Sequence, residues 1–283
     1  MAANPSITAR KPLKLLMLHG YTQTGPLFYA KSRALQKAIQ KAFPLYEVKT
    51  VVPTGPIRLK PIDIPGYEPS GNTDEEDVEA YGWFLRSSTA TPTLYAGLED
   101  CFKAVAKTLT EEGPFDGVIG FSQGAALAAM VTSLLEPGRK EAFEKFSKDE
   151  VDGATGIPYP PAFLEPGFVH PPFKFALAYC GYRAPGARYR GFYEDPAIQT
   201  PLLHVLGSLD AIVEESKSQA LIDACAGEPE KVGWVVRHPG GHFLPSQKPY
   251  LEAATRFIKG QLEKTGVADK VDEEDVNDMD VPF

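Results

Sequence analysis

Short apolar segments that alternate with helical patterns constrain the fold of this chain more than any other feature. The apolar segments are rich in leucine, valine and isoleucine and cover residues 14–20, 46–53, 115–122, 173–181, 200–210 and 232–241. Several of them are apolar on both faces, which is typical of parallel strands covered by helices on both sides of a sheet. The sequence therefore predicts six strands of a mostly parallel sheet.

Between these segments, apolar residues recur with a helical period. This pattern predicts helices over residues 28–43, 94–109, 125–135, 214–226 and 249–264. Alternation of strands and helices at this rhythm indicates a single doubly wound α/β domain with helices on both sides of the sheet. We place this domain at residues 13–264, after an N-terminal extension over residues 1–12.

Two proline-rich stretches, residues 53–92 and 136–173, interrupt the rhythm and show no clear period. Long irregular connections in a compact domain often belong to lids or binding pockets. We predict that both stretches are irregular insertions that leave the sheet where such pockets are commonly built. A plain surface insertion is the open alternative for each of them.

Negative charge is concentrated at the C-terminal end of the chain. Residues 265–283 carry seven acidic residues and one lysine, which gives −6, so that only −2 of the formal net charge of −8 belongs to the remaining chain. The acidic segment is predicted to be a solvated, disordered tail. The nearly neutral body gives no reason to expect a nucleic acid or an anionic membrane as a partner.

Cysteine content and the N-terminal sequence favour a reducing compartment. Cys101, Cys180 and Cys225 are an odd number of cysteines without a metal-binding spacing, and their small or apolar neighbours predict buried thiols. The N-terminal residues lack the pattern of a signal peptide, and the apolar run at residues 15–18 is too short to span a membrane. The expected location is the cytoplasm.

The sequence GFSQGAA at residues 120–126 places one serine between two glycines, directly after an apolar strand and before an alanine-rich helix. Gly-x-Ser-x-Gly in this context is typical of a nucleophile elbow, a strained turn from strand to helix. The glycines remove side chains that would collide with the neighbouring strand and helix. Ser122 is therefore the predicted nucleophile, and a purely structural Gly-Ser turn is the alternative interpretation.

A nucleophilic serine needs a histidine base and a carboxylate that orients the base, and in an elbow they follow in that chain order: carboxylate, then histidine. Asp210 lies just past an apolar strand, and His242 follows a Gly-Gly turn beyond the next strand. Both positions fall at the carboxyl edge of the sheet, where Ser122 also lies. Asp195, in a loop before a proline, is the main rival for the carboxylate. The less favoured candidates for the base are His170, His204 and His238.

An oxyanion hole requires N–H donors beside the nucleophile. The backbone N–H of Gln123, the residue after the serine, is the first predicted donor. The second is the N–H of Tyr21, because Gly20 lets the loop after the first strand turn toward the site. The imidazole of His19 is predicted to brace this loop by hydrogen bonds, with a direct contact to the substrate as the alternative.

Four motifs together resemble the FSH family of small serine hydrolases: LHGYTQTG (18–25), GFSQGAALA (120–128), HVLGSLDAIV (204–213) and HPGGHFLP (238–245). The family includes fungal esterases and polyketide-releasing thioesterases, and it is related to the human ovarian-tumour-suppressor-candidate hydrolase. The resemblance covers roughly residues 13–260 and implies an α/β-hydrolase fold. It implies a triad and an oxyanion hole formed by Ser122, Asp210, His242, Tyr21 and Gln123. It also implies that the aromatic segment around Trp83 lies near the acyl pocket.

These residues predict the cleavage of a carboxylic ester or thioester of a small to medium acyl group through an acyl-enzyme intermediate. We expect no metal and no organic cofactor for this chemistry. Release or editing of a carrier-bound polyketide or acyl chain is the first alternative, and a non-catalytic binding protein of the same fold is the second. A homodimer and an acyl-carrier or synthase partner stay open. The candidate substrate contacts are His19, Trp83, Phe84 and Phe243.

Overall fold

The computed structural model describes residues 10–67 and 79–265. Within these ranges the α-helices are α1 (Gly25–Lys31), α2 (Arg33–Ala42), α3 (Leu98–Glu112), α4 (Gln123–Leu134), α5 (Arg139–Phe146), α6 (Glu215–Asp223) and α7 (Lys248–Lys264). The strands are β1 (Lys11–Leu18), β2 (Tyr46–Val51), β3 (Ile57–Arg58), β4 (Tyr81–Gly82), β5 (Leu85–Arg86), β6 (Tyr95–Ala96), β7 (Gly117–Phe121), β8 (Phe175–Tyr179), β9 (Leu202–Gly207) and β10 (Val235–His238).

Six parallel strands form one sheet in the order β2-β1-β7-β8-β9-β10, which confirms the predicted doubly wound sheet. After β1 the chain continues to β2 on one side, and it later returns to β7 on the other side of β1. At such a reversal the connections leaving the two strands diverge and open a crevice at the carboxyl edge. The small antiparallel pairs β3–β4 and β5–β6 lie outside this sheet.

Both faces of the sheet are covered by apolar helices. On β1, Leu16 and Leu18 belong to the core layer that contains apolar residues of α3, α4 and α6. Leu15 and Met17 belong to the opposite layer, which contains residues of α1, α2 and α7. Because successive side chains of a strand point to opposite faces, a strand covered on both sides needs a continuous apolar run. This requirement explains the sequence pattern from which the sheet was predicted.

The predicted bounds of two helices differ most from the observed ones. The helix predicted over residues 28–43 is divided at Ser32, whose hydroxyl donates to the carbonyl of Phe28 at 2.7 Å, and its first part begins earlier because Thr24 caps the N–H of Leu27. The helix predicted to begin at residue 94 begins at Leu98, since Tyr95 and the next residue pair with β5 instead.

The second insertion is more regular than predicted. Residues 136–173 contain α5, whose apolar residues Ala142, Phe143 and Phe146 are buried. This helix has only two turns, and its few apolar residues lie among charged ones, so the sequence shows no clear helical period there. The N-terminal residues 1–9, the acidic run at 73–78 and the predicted acidic tail from residue 266 onward lie outside the described residues. Within the described ranges, no helix has both the length and the hydropathy needed to cross a membrane.

Candidate active site

Ser122 occupies a tight turn between β7 and α4. Its backbone angles, φ 54° and ψ −118°, are strained for a residue with a side chain, and such strain is concentrated at functional sites. A Cβ atom on Gly120 would lie 2.2 Å from the carbonyl oxygen of Gly124, and one on Gly124 would lie 2.2 Å from that of Leu18. Both glycines are therefore required, because α4 packs directly against the ends of β7 and β1.

Hydrogen bonds join Ser122, His242 and Asp210 in a continuous chain. His242 Nδ1 lies 2.7 Å from Asp210 Oδ2, and His242 Nε2 lies 2.8 Å from Ser122 Oγ. Because an ionised carboxylate can only accept, the proton of the neutral ring sits on Nδ1, which leaves Nε2 to accept from the serine hydroxyl. The arrangement can take up the hydroxyl proton as the oxygen attacks an electrophile.

The second carboxylate oxygen of Asp210 is held by the backbone. Oδ1 accepts from the N–H groups of Ile212 and Val213, both at 2.9 Å. Partial burial raises the pKa of Asp210, but the hydrogen bonds from Val213, His242 and Ile212 outweigh it and hold the pKa below its ordinary value. Asp210 is therefore ionised at neutral pH, and both of its carboxylate oxygens are held by hydrogen bonds.

Backbone contacts between the loops after β9 and β10 bring Asp210 and His242 together. The N–H of Ser208 donates to the carbonyl of His238 at 2.8 Å, and the N–H of Leu209 donates to that of Gly240 at 3.0 Å. These bonds continue the parallel pairing of β9 with β10 beyond the strand ends. The carboxylate and the imidazole thus come from one rigid corner of the sheet.

The rival residues occupy other environments. Asp195 is exposed and pairs with Lys145 at 2.5 Å. His170 Nε2 accepts from the N–H of Phe115, and His238 Nδ1 accepts from the N–H of Gly240. His204 is buried within β9, where burial lowers its pKa to about 3. Among the hydrogen bonds of residues 10–67 and 79–265, none joins these side chains to the serine.

The backbone N–H groups of Tyr21 and Gln123 are the candidate donors of an oxyanion hole. In the described part of the chain, neither the N–H of Tyr21 nor that of Gln123 donates to another protein group. Both residues line a cavity that also exposes Ser122. Gln123 begins α4, so the positive end of the helix dipole lies at the same position. Free donors at this place are what an oxyanion hole requires.

The side chain of Gln123 has a structural role that the sequence did not reveal. Its Oε1 accepts from the N–H of Trp83 at 2.8 Å, and its Nε2 donates to the carbonyl of Phe84 at 2.7 Å. These two bonds fasten the first insertion to the start of α4. Both partners lie about forty residues before Gln123 in the sequence, so no local pattern signals this bridge.

His19 and Trp83 lie beneath the site and are fully buried. His19 Nε2 accepts from the N–H of Gly55 at 2.8 Å, Nδ1 donates to the carbonyl of Gly20 at 2.7 Å, and burial lowers the pKa of His19 to about 4. Trp83 Nε1 donates to the carbonyl of His19 at 2.9 Å, and the two rings lie 4.9 Å apart. Through these contacts both residues brace the loop that carries Tyr21, which is the role predicted from the sequence for His19. A contact with the substrate stays a prediction for both residues.

The profile of the family described as Serine hydrolase (FSH1) matches residues 8–254, most of the chain. The chain belongs to this serine hydrolase family. Esterase OVCA2 of Danio rerio is 32% identical over 262 residues, which are 88% of this chain and 97% of that protein. The predicted resemblance to FSH hydrolases is thereby confirmed.

Two further comparisons bear on length and fold. A dihydrofolate reductase of Schizosaccharomyces pombe is 32% identical over 253 residues, which cover 88% of this chain and 47% of that protein, so this hydrolase spans about half the length of that relative. The crystal structure of Zea mays acyl-protein thioesterase 2 matches with a TM-score of 0.55 at 19% identity, over 90% of this chain and 96% of that one. At this identity the likeness shows the shared α/β-hydrolase fold.

Two cavities of this hydrolase meet at Ser122. The first, which we call the Tyr182 cavity, has a volume of about 360 Å³, and the second, the His242 cavity, one of about 560 Å³. Ser122, Tyr21 and Ile212 line both cavities. Apart from these shared residues, the Tyr182 cavity is lined among others by Phe84, Arg86, Tyr95, Tyr182 and Lys217. The His242 cavity is lined among others by Gln23, Phe28, Phe121, His242 and Phe243. The predicted contacts Phe84 and Phe243 thus lie in different cavities.

Cys180 is a neighbour of the site that sequence reasoning missed. The thiol of Cys180, the carboxylate of Asp210 and the imidazole of His242 have ligand atoms within 4.8 Å of one another. Burial and the charge of Asp210 raise the pKa of Cys180 to about 12, so the thiol stays protonated, whereas metal binding needs a thiolate. His242 Nδ1 is also already bonded to Asp210. Cys180 follows β8, the neighbour of the strand that leads to Asp210, but nothing local in the sequence shows that its thiol lies beside the carboxylate.

Proposed function

We propose that this serine hydrolase cleaves carboxylic esters or thioesters of small to medium acyl groups, with Ser122 as the nucleophile. The observation that carries the proposal is the chain of hydrogen bonds from Ser122 Oγ through the imidazole of His242 to the carboxylate of Asp210. Family membership supports the same class of reaction. The substrate is a small molecule that contains a thioester or a carboxylic ester.

In the first half of the reaction, Ser122 Oγ attacks the carbonyl carbon while His242 Nε2 takes the hydroxyl proton. Asp210 holds the imidazole in the tautomer that can accept this proton and stabilises the cation that forms. The tetrahedral oxyanion accepts from the N–H groups of Tyr21 and Gln123. In other hydrolases each such donor contributes about 3 kcal/mol to the stability of the transition state.

The protonated His242 then gives its proton to the leaving oxygen or sulfur, and the acyl group stays on Ser122. A water molecule attacks this acyl-enzyme with His242 as the base, which releases the acid and restores the hydroxyl. Because the leaving atom must meet His242 Nε2, the leaving group lies in the His242 cavity. The acyl group then occupies the Tyr182 cavity, which Ser122 also lines.

Labelling with a fluorophosphonate probe tests the proposal. The wild-type protein should be labelled, Ser122→Ala should not, and Ser216→Ala, which changes an exposed serine on α6, should be labelled like the wild type. Circular dichroism shows whether each variant is folded. A folded wild-type protein that stays unlabelled would support the alternative of a non-catalytic binding protein and contradict the proposal.

Whether the enzyme prefers an alcohol or a thiol as the leaving group is tested by measuring kcat/KM. A series of 4-nitrophenyl esters and acyl-CoA thioesters of increasing acyl length compares esters with thioesters on the same enzyme. Higher kcat/KM values for the thioesters would favour the alternative in which an acyl or polyketide chain is released from a carrier. A homodimer and a carrier or synthase partner stay predictions.

A further inference from the structure

The Tyr182 cavity carries two cationic side chains beside a hydrolytic serine. Arg86 at the end of β5 and Lys217 on α6 both line it, and none of its described lining residues is acidic. Three further lining residues, Phe84, Ile212 and Val213, are apolar. A cavity that combines apolar walls with two positive charges is suited to an acyl chain that also carries a negative charge.

Arg86 differs from a neighbouring arginine in its ion pairing. Within the described ranges Arg86 makes no ion pair, whereas Arg183, two residues from the cavity wall at Pro185, is bound to Glu194. Lys217 pairs with Glu214 at 3.1 Å, but the side chain of Glu214 is 70% exposed. An exposed pair of this kind contributes little to stability, so Lys217 can exchange Glu214 for a bound anion.

Two phenols lie beside Arg86, and because Tyr182 is hydrogen-bonded to Tyr95, one of the two hydroxyls is left to donate to a ligand. Burial raises the pKa of Tyr95 and of Tyr182 above the ordinary phenol value, while the charge of Arg86 acts on both in the opposite direction. Both hydroxyls therefore stay protonated, and the guanidinium lies close enough to influence them. A carboxylate only accepts hydrogen bonds, and guanidinium, ammonium and phenol groups all donate them.

We infer that the acyl group of the preferred substrate ends in a second, free carboxylate, which Arg86 and Lys217 bind. The substrate class is the half-esters and half-thioesters of dicarboxylic acids. Water is added across the bond to the carbonyl carbon, so the products are the dicarboxylic acid and an alcohol or thiol. The inference rests on the proposed function, because the proton transfer from His242 is what places the acyl group in the Tyr182 cavity.

Two matched substrates test this inference: mono-4-nitrophenyl adipate and 4-nitrophenyl methyl adipate. They differ by one methyl group and one negative charge, and both release 4-nitrophenolate. We expect the wild-type kcat/KM to be about tenfold higher for the free acid, after subtraction of the rate without enzyme. Because the charges are near the surface, this preference should decrease as the NaCl concentration is raised.

Variants assign the preference to particular side chains. Arg86→Met should reduce the preference for the acid about tenfold, because kcat/KM for the acid falls more than kcat/KM for the methyl ester, and Lys217→Met should have a smaller effect in the same direction. Arg256→Met is the matched control, because it removes an exposed arginine from α7 on the opposite face of the sheet. It should keep the wild-type preference.

The outcomes separate the inference from the proposed function. An enzyme that hydrolyses the methyl ester as fast as the acid, or faster, overturns the inference and leaves the hydrolase activity standing. A preference for the acid that persists in both Arg86→Met and Lys217→Met overturns the assignment to these residues. If neither substrate is hydrolysed and the fluorophosphonate probe does not react, the proposed function itself fails.

Discussion

A Cβ atom on Gly207 would lie only 2.2 Å from the carbonyl oxygen of Gly241. The end of β9 therefore touches the turn after β10 at the level of the backbone. Asp210 follows Gly207 by three residues and His242 follows Gly241 directly, so this contact sets the 2.7 Å distance between carboxylate and imidazole. The absence of one side chain at Gly207 is part of what holds the site together.

Substitution of Gly207 should damage the site more than the fold. In Gly207→Ala the new methyl group meets backbone, which cannot rotate away, so the two loops must separate. We expect unfolding to become easier by about 1–3 kcal/mol and kcat on a 4-nitrophenyl ester to fall at least tenfold. Urea titration and initial rates measure the two effects.

Gly260→Ala provides the control for this substitution. Gly260 lies in α7, and a Cβ atom there would meet nothing within 4 Å. Alanine should stabilise the helix by about 0.5–1 kcal/mol and leave the rate unchanged. Equal rates for Gly207→Ala and Gly260→Ala would show that the close approach at Gly207 has no part in positioning Asp210 and His242.

Replacement of Asp210 by asparagine should stop catalysis by changing the tautomer of His242. The amide NH₂ group would donate to Nδ1, so the ring proton would move to Nε2, which could then no longer accept the proton of Ser122. We expect kcat to fall by about 10³–10⁴, as for the equivalent change in other triad enzymes. Asp195→Asn, which alters only an exposed ion pair with Lys145, should keep full activity. Comparable losses in the two variants would argue against Asp210 as the orienting carboxylate.

The sequence was sufficient for the sheet and for the three residues that meet at its edge. The apolar runs identified all six strands because strands covered on both faces have little freedom in composition. The elbow at Ser122 was recognisable because a turn this tight requires glycine at fixed positions. Asp210 and His242 followed from the chain order and from the expected position of strand ends.

Features that depend on contacts distant in sequence were not predictable in this way. Nothing local in the sequence indicates that the Gln123 side chain bridges Trp83 and Phe84, or that Cys180 lies beside Asp210. The cations of the Tyr182 cavity come from β5 and α6, which the sequence separates by more than a hundred residues. Periodicity places a residue on a face, but it does not show which loops fold over that face.

Burial of His19 should make the protein less stable in mild acid. Burial lowers its pKa from 6.5 to about 4, so below pH 6.5 the unfolded chain binds a proton at His19 that the folded protein does not bind. For this residue the free energy of unfolding therefore decreases by about 3 kcal/mol as the pH falls from 6.5 to about 4. Below that range the contribution of His19 no longer changes with pH.

The slope of stability against pH isolates the contribution of His19. Gln at this position does not titrate and offers an acceptor toward the N–H of Gly55 in place of His19 Nε2. His19→Gln should lower stability at pH 7, and its unfolding free energy should fall less steeply than that of the wild type between pH 6.5 and 4. Parallel curves for the two proteins in urea titrations would contradict the buried, neutral imidazole.

A buried ion pair anchors α5 to the segment after residue 190. Arg139 donates to Glu136 at 3.0 Å and to the carbonyls of Gly191 and Pro196 at 3.2 and 2.8 Å. Glu136 also accepts from the N–H groups of Gln199 and the next residue. These contacts cross-link the second insertion to the connection that leads into β9, the strand before Asp210.

Removal of this arginine should destabilise the fold far more than removal of a neighbouring surface cation. Arg139→Met leaves the Glu136 carboxylate buried without its partner, so we expect a loss of about 3–5 kcal/mol in the free energy of unfolding. Lys145→Met breaks an exposed ion pair between α5 and Asp195 and should change it by about 0–1 kcal/mol. Because neither residue lines the cavities at Ser122, both variants should keep the wild-type kcat at a temperature where they are folded. Equal stabilities for the two variants would contradict this argument, because they would mean that the burial of the ion pair between Arg139 and Glu136 makes no difference to how firmly this segment is held.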